Sequence, residues 1–68
     1  MRQWLIDLRT AKEWNKAQTA KKLGITRQYY QGIESGDRMK RLSITFASKI
    51  ASVFGEKVEK IIKLEMEK

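Results

Sequence analysis

The feature that most constrains the fold is a pair of adjacent helix signals between residues 15 and 36. Asn15 is a favoured N-cap, and Gln18 three residues later completes the pattern of a capping box. Gly24 then ends the helix that this pattern predicts over 16–23, because glycine readily adopts the left-handed conformation found after helix C-termini.

A second helix is predicted directly after this turn. Thr26 is its N-cap and Gly36 its stop signal, which places the helix over 27–35. Tyr30 and Ile33 share one face and are expected to point inward. Two short helices joined by a tight turn predict a helix-turn-helix, or a plain helical hairpin, over about 16–35.

The remaining segments are also predicted to be helical. Apolar residues recur at three- and four-residue spacing, which predicts helices over roughly 2–12, 44–54 and 56–67. No segment shows the sustained alternation of a strand, and the chain contains no proline. The sequence therefore predicts an all-α fold of five short helices, forming one domain over 1–68.

Four side chains outside the predicted turn carry specific expectations. Ile44 is expected to face the core, and Leu64 to be exposed on the last helix. Phe54, Leu64 and the outer side of the last helix are candidate dimer surfaces, unless they simply close a monomeric core. Gly32, which has no side chain, should lie on the outer side of its helix, where it lowers helix stability by about 1 kcal/mol relative to alanine.

The composition argues against several classes of function. Neither cysteine nor histidine is present, which excludes a disulfide framework and an ordinary zinc site and removes the commonest catalytic groups. No apolar run approaches the ~20 residues of a membrane helix, and no signal peptide is expected. We therefore expect a protein of the cytoplasm and nucleoid, without a cofactor or a metal, and not an enzyme.

The charge balance predicts an anionic partner. Fifteen basic and eight acidic residues give a net charge of +7, and both halves of the chain share the excess. Such a domain binds nucleic acid more often than a membrane surface. The dispersed charge and the turn glycines argue against a basic amphipathic protein lying on a membrane.

The predicted helix starts also suit an anion. Acidic side chains stabilise the first turn of a helix, yet the predicted first turns that begin at residues 16, 27 and 44 contain no acidic residue. Lys16 and Arg27 even oppose the helix dipole, at ~0.3–1 kcal/mol each. Free N–H groups ringed by cations can bind phosphate, although short helix starts also lack acids by chance.

The outer face of the helix over 27–35 carries side chains that can read bases. Arginine pairs bidentately with guanine and glutamine with adenine, so Arg27, Gln28 and Gln31 are candidate base-reading residues. Either this face or the basic loop after it could also be merely solvated. The candidate phosphate-binding residues are Lys16, Tyr29, Arg38, Lys40 and Arg41.

These residues resemble a known family. The segment QTAKKLGITRQYYQGIESG, preceded by the Leu-x-x-Leu-Arg pattern of residues 5–9, is similar to the Cro/C1-type (XRE-like) helix-turn-helix repressors of bacteria and phages. The resemblance covers about residues 5–62. Its most specific parts are Ala20, the run over 23–27, and the pattern Ile33-Glu34-x-Gly36.

The resemblance implies a lambda-repressor-like fold of five helices and a homodimer on double-stranded DNA. It also implies a buried ion pair between Arg9 and Glu34. By position, Arg27, Gln28 and Tyr29 match the main base-reading residues of the family. Lys16 replaces the usual glutamine, and the loop after Gly36 is longer than the common pattern and lacks its proline.

The leading hypothesis is a sequence-specific double-stranded DNA-binding transcriptional regulator, a repressor whose helix over 27–35 reads an operator. The alternative is an antitoxin or another protein-binding regulatory module with the same fold. Leu64 and Met66 would then form the interface, and the protein partner would be a toxin or an antirepressor.

Overall fold

Five α-helices form the chain in a computed structural model that describes residues 1–67. No strand is present among these residues, which confirms the all-α prediction. Three helices begin and end where the sequence predicts, while the first and last are shorter than predicted by one or two residues at each end. The helices are α1 (Gln3–Ala11), α2 (Lys16–Leu23), α3 (Arg27–Ser35), α4 (Ile44–Phe54) and α5 (Val58–Met66).

Local hydrogen bonds explain why α2 and α3 are separate helices. The backbone N–H of Gln18 donates to Asn15 Oδ1 at 2.7 Å, and Asn15 N–H donates to Gln18 Oε1 at 2.9 Å. This reciprocal pair is the expected capping box. Gly24 has φ +74°, a left-handed conformation that ends α2 and turns the chain towards Thr26, the N-cap of α3.

The core is small and is shared by all five helices. Helix α3 packs against α1 and α2, whereas α4 packs against α2 and α5. The rings of Trp14 and Phe54 lie 5.3 Å apart at the corner between α1 and α2. The fully or almost fully buried apolar side chains are Leu5, Ala20, Leu23, Tyr30, Ile33, Ala47, Ile50, Ala51, Phe54 and Ile61.

Several expectations for individual side chains are wrong. Ile44 is 74% exposed, because it begins α4 where the groove between α4 and α5 opens to solvent. Leu64 is half-buried rather than exposed, since it lies in a cleft with Met1 and Trp4. Of the two interpretations of Phe54, its 3% exposure supports the one in which it closes the core and not the one in which it forms a dimer surface.

No helix within residues 1–67 is long and apolar enough to cross a membrane.

Candidate nucleic-acid interface

Helix α3 separates an anchoring face from an exposed polar face. Its inner face buries Tyr30, Ile33 and Glu34. Arg27, Gln28 and Gln31 are all exposed, and their side chains form no hydrogen bond or ion pair within residues 1–67. The structure therefore brings the three candidate base-reading residues together on one surface with their polar groups available.

The helix starts have the charge distribution that the sequence suggests. No acid lies in the first turn of α2, α3 or α4, whereas α5 carries Glu59 there. Lys16 is half-buried and Arg27 exposed at the first positions of α2 and α3. The positive ends of these helices are thus free of neutralising carboxylates from their own first turns.

A buried network holds α3 against α1. Arg9 Nε lies 2.9 Å from Glu34 Oε2, and Arg9 Nη1 donates to the carbonyl oxygen of Trp14 at 3.0 Å. The Tyr30 hydroxyl donates to the same Glu34 oxygen at 2.7 Å. One carboxylate therefore joins α1 to the inner face of α3, and the arginine also fixes the corner before α2.

The network perturbs the ionisation of two of its members. The hydrogen bond to Glu34 raises the pKa of the Arg9 guanidinium, and this effect outweighs the opposing effect of burial. Burial, followed by the hydrogen bond to Glu34, raises the pKa of the Tyr30 hydroxyl. At neutral pH both groups therefore stay protonated and donate to the carboxylate.

Gly32 lies on the outer side of α3 with Gln28 and Gln31, as expected, but the loop after α3 folds back over it. The backbone N–H of Arg38 donates to the Gly32 carbonyl oxygen at 3.0 Å. A Cβ atom built at Gly32 would lie 2.8 Å from Arg38 Cγ and 3.1 Å from its Cδ. The methylene groups of Arg38 thus occupy the space that a side chain at position 32 would need.

The loop cations do not form one cluster. The Arg38 guanidinium lies 5.4 Å from the centre of the Tyr29 ring, and Arg38 shares an open cleft with Gln28 and Gln31. Lys40 and Arg41 instead line the groove between α4 and α5, and Lys40 also lies in a cleft with Ser35 at the C-terminal end of α3. The structure therefore places Arg38 beside the candidate base-reading residues and the other two loop cations elsewhere.

A second buried charged pair, which sequence spacing does not predict, holds this loop. Arg2 is 4% exposed and lies 2.9 Å from Glu65 through Nη2 and Oε2. Its guanidinium also donates to the carbonyl oxygens of Ile33 (2.6 Å), Arg38 (3.4 Å) and Met39. Arg2 and Glu65 are separated by almost the whole chain, so no helical spacing could have linked them.

The residues that the structure describes do not suggest a metal centre. No group of three or more carboxylates among residues 1–67 is arranged to hold an ion. Asp37 lies in the cleft with Arg38, where its Oδ2 accepts a hydrogen bond from Ser35 Oγ at 3.2 Å.

Comparison with known proteins gives one match. A family model described as helix-turn-helix, of the Cro/C1 type, matches residues 5–61, which cover most of α1, all of α2 to α4 and the start of α5. Searches of curated proteins and of solved structures return no match.

Proposed function

This chain belongs to the Cro/C1-type helix-turn-helix family of DNA-binding regulators, and we propose that it is a sequence-specific transcriptional repressor that reads its operator with α3. The observation that carries the proposal is the outer face of α3. Arg27, Gln28 and Gln31 are exposed there without protein partners, while Tyr30 and Glu34 anchor the opposite face.

The chemistry of this face suits the major groove. An arginine can pair with O6 and N7 of guanine, and a glutamine with N6 and N7 of adenine. In helix-turn-helix proteins the first turns of the second helix enter the groove, and Arg27 and Gln28 occupy the first turn of α3. Gln31 follows one turn later on the same exposed surface, so three adjacent side chains could read neighbouring bases.

Phosphate binding would come from the start of α2, from Tyr29 and from the loop after α3. Lys16 begins α2 at a helix start without acids, where backbone N–H groups can add to its charge. Tyr29 is 37% exposed and can donate its hydroxyl. Lys40 and Arg41 lie exposed in the loop after α3. Each such contact adds affinity that depends on salt and not on base sequence.

Repression would be steric. We expect a homodimer to occupy two half-sites about 34 Å apart, one turn of DNA, and to block polymerase. The whole chain would then act as one DNA-binding domain in the cytoplasm, at the nucleoid. Selection of bound sites from random duplex DNA tests this proposal, since a palindromic motif is the expected result. Failure to enrich any motif would refute sequence-specific binding and favour the protein-binding alternative.

Two alanine variants separate the proposed roles. Arg27→Ala should relax the selected motif at one base position and weaken binding to the selected site by ~1–3 kcal/mol. Lys40→Ala should weaken binding to every sequence alike and reduce the slope of log K against log salt by about 1. Fluorescence anisotropy on specific and random duplexes over a salt series measures both effects. Equal losses for both variants on both DNAs would contradict the assignment of Arg27 as a reader.

A further inference from the structure

Arg38 lies along the outer face of α3, although it belongs to the loop that follows the helix. Its Cβ, Cγ and Cδ atoms cover Gly32, as the contacts of a Cβ built at that glycine show. Its guanidinium then reaches the ring of Tyr29, three residues nearer the start of the helix. The side chain therefore runs back along α3 towards the end that enters the groove in helix-turn-helix proteins.

The backbone at Arg38 is held from two sides. Its N–H donates to the Gly32 carbonyl oxygen at 3.0 Å, and its own carbonyl oxygen accepts from Arg2 Nη1 at 3.4 Å. Arg2 also binds the next carbonyl oxygen, that of Met39, and is itself paired with Glu65. Arg38 thus begins from a fixed position, which reduces the ordering that a base contact would require.

The surroundings suit a base edge better than a phosphate. The exposed guanidinium forms no ion pair within the described part of the chain and shares its cleft with Gln28 and Gln31. The carboxylate of Asp37 lines the same cleft and would repel a phosphate placed there. An uncharged base edge avoids this repulsion and still offers two acceptors when the base is guanine.

We infer that Arg38 is a base-reading residue, which takes the place of the missing side chain at Gly32 and pairs with a guanine in the major groove. The inference rests on the proposed function, because it requires α3 to read DNA. The inference also explains why a glycine, which destabilises a helix, stands at position 32: any larger residue would displace the methylene groups of Arg38. The inference also gives Arg38 a different role from Lys40 and Arg41, whose side chains do not line the cleft with Gln28 and Gln31.

Selection from random duplex DNA with four full-length variants tests the inference. The variants are Arg38→Ala, Gly32→Ala, the double variant, and Lys40→Ala as the control for a loop cation that lies outside the cleft with Gln28 and Gln31. Arg38→Ala should lose the preference for guanine at one position of each half-site and keep the rest of the motif. Its affinity for the selected site should fall by about 5- to 150-fold, the range for one bidentate pair.

Gly32→Ala supplies the geometric test. The new methyl group would lie 2.8 Å from Arg38 Cγ, so the side chain must move, while alanine favours the helix. We expect the same guanine preference to disappear without loss of thermal stability. The double variant should bind no more weakly than Arg38→Ala alone, because both changes remove the same contact. Lys40→Ala should keep the complete motif.

The outcomes distinguish this inference from the function on which it rests. A wild-type chain that selects no motif would overturn both. A wild-type motif that survives intact in Arg38→Ala, with equal losses on specific and random DNA, would assign Arg38 to a phosphate and overturn the inference alone. A guanine preference that depends on Arg38 but persists in Gly32→Ala would overturn the proposed path across Gly32.

Discussion

Replacing Arg9 by alanine should remove a large part of the stability of the fold. The change would leave the Glu34 carboxylate, whose side chain is 5% exposed, with the Tyr30 hydroxyl as its remaining side-chain donor. Removing one member of a buried ion pair costs about 3–5 kcal/mol, because the other charge stays buried. A 68-residue domain has a total stability of about 3–10 kcal/mol at typical values per residue. Arg9→Ala should therefore be marginally folded or unfolded at 25 °C.

Urea denaturation followed by circular dichroism and tryptophan fluorescence measures this loss. Arg27→Ala is the matched control, since it also deletes one guanidinium but from an exposed side chain without a protein partner. We expect its free energy of unfolding to stay within about 0.5 kcal/mol of wild type. The two variants have the same net charge, so their difference reports the buried contacts of Arg9, which are the pair with Glu34 and the hydrogen bond to the Trp14 carbonyl oxygen.

A second variant tests the physical cause rather than the size of the loss. Glu34→Gln added to Arg9→Ala removes the charge that would otherwise stay buried and keeps an oxygen that can accept from Tyr30. The double variant should therefore be more stable than Arg9→Ala alone. The reasoning fails if Arg9→Ala lowers the free energy of unfolding by less than about 1 kcal/mol, or if the second change destabilises the chain further.

Two other groups should respond in ways that follow from their contacts. Arg2→Ala breaks the pair with Glu65 and should lower the free energy of unfolding by about 3–5 kcal/mol in a urea titration. Gln3→Ala, at a neighbouring exposed position, should lower it little. Similar losses for both variants would contradict the burial of Arg2. The folded pKa of Tyr30 lies above its unfolded value of about 10, so the stability that it contributes is complete below that pH and is lost as the pH rises towards the folded pKa. Tyr30→Phe should remove this alkaline loss of stability, while Tyr29→Phe should keep it. Urea titrations from about pH 8 to about pH 11 measure the loss. An unchanged loss in Tyr30→Phe would refute its assignment to the Tyr30 hydroxyl.

The boundaries of the central helices could be predicted because their signals are local. Asn15 and Gln18 form a capping box, Thr26 caps α3, and Gly24 and Gly36 both adopt positive φ. Each of these interactions joins residues within four positions, so sequence spacing alone specifies it. The same holds for the inner face of α3, where the spacing of Tyr30 and Ile33 follows the helical repeat.

The contacts that position the loop could not be predicted, because they join distant segments. Arg2 and Glu65 lie at opposite ends of the chain, and a pattern of charges does not show which pairs will meet. Helical periodicity places Gly32 on the outer side of α3, but it cannot show that Arg38 covers this glycine from the following loop. Ile44 has the correct spacing for the core but lies at a helix end that its neighbours do not cover.

The two ends of α3 differ in how their backbone groups are satisfied. A helix leaves its last carbonyl groups and its first N–H groups without partners of its own. At the C-terminus of α3, Arg2 N–H donates to the Glu34 carbonyl oxygen, the Arg2 guanidinium donates to that of Ile33, and Arg38 N–H donates to that of Gly32. At its N-terminus, the Thr26 hydroxyl accepts from the Tyr29 N–H and the Thr26 carbonyl oxygen from the Tyr30 N–H. The backbone N–H groups of Arg27 and Gln28, which precede them in the first turn, keep their capacity to bind an anion. The protein therefore satisfies the end of α3 that it must hold and leaves exposed the end that can enter a groove.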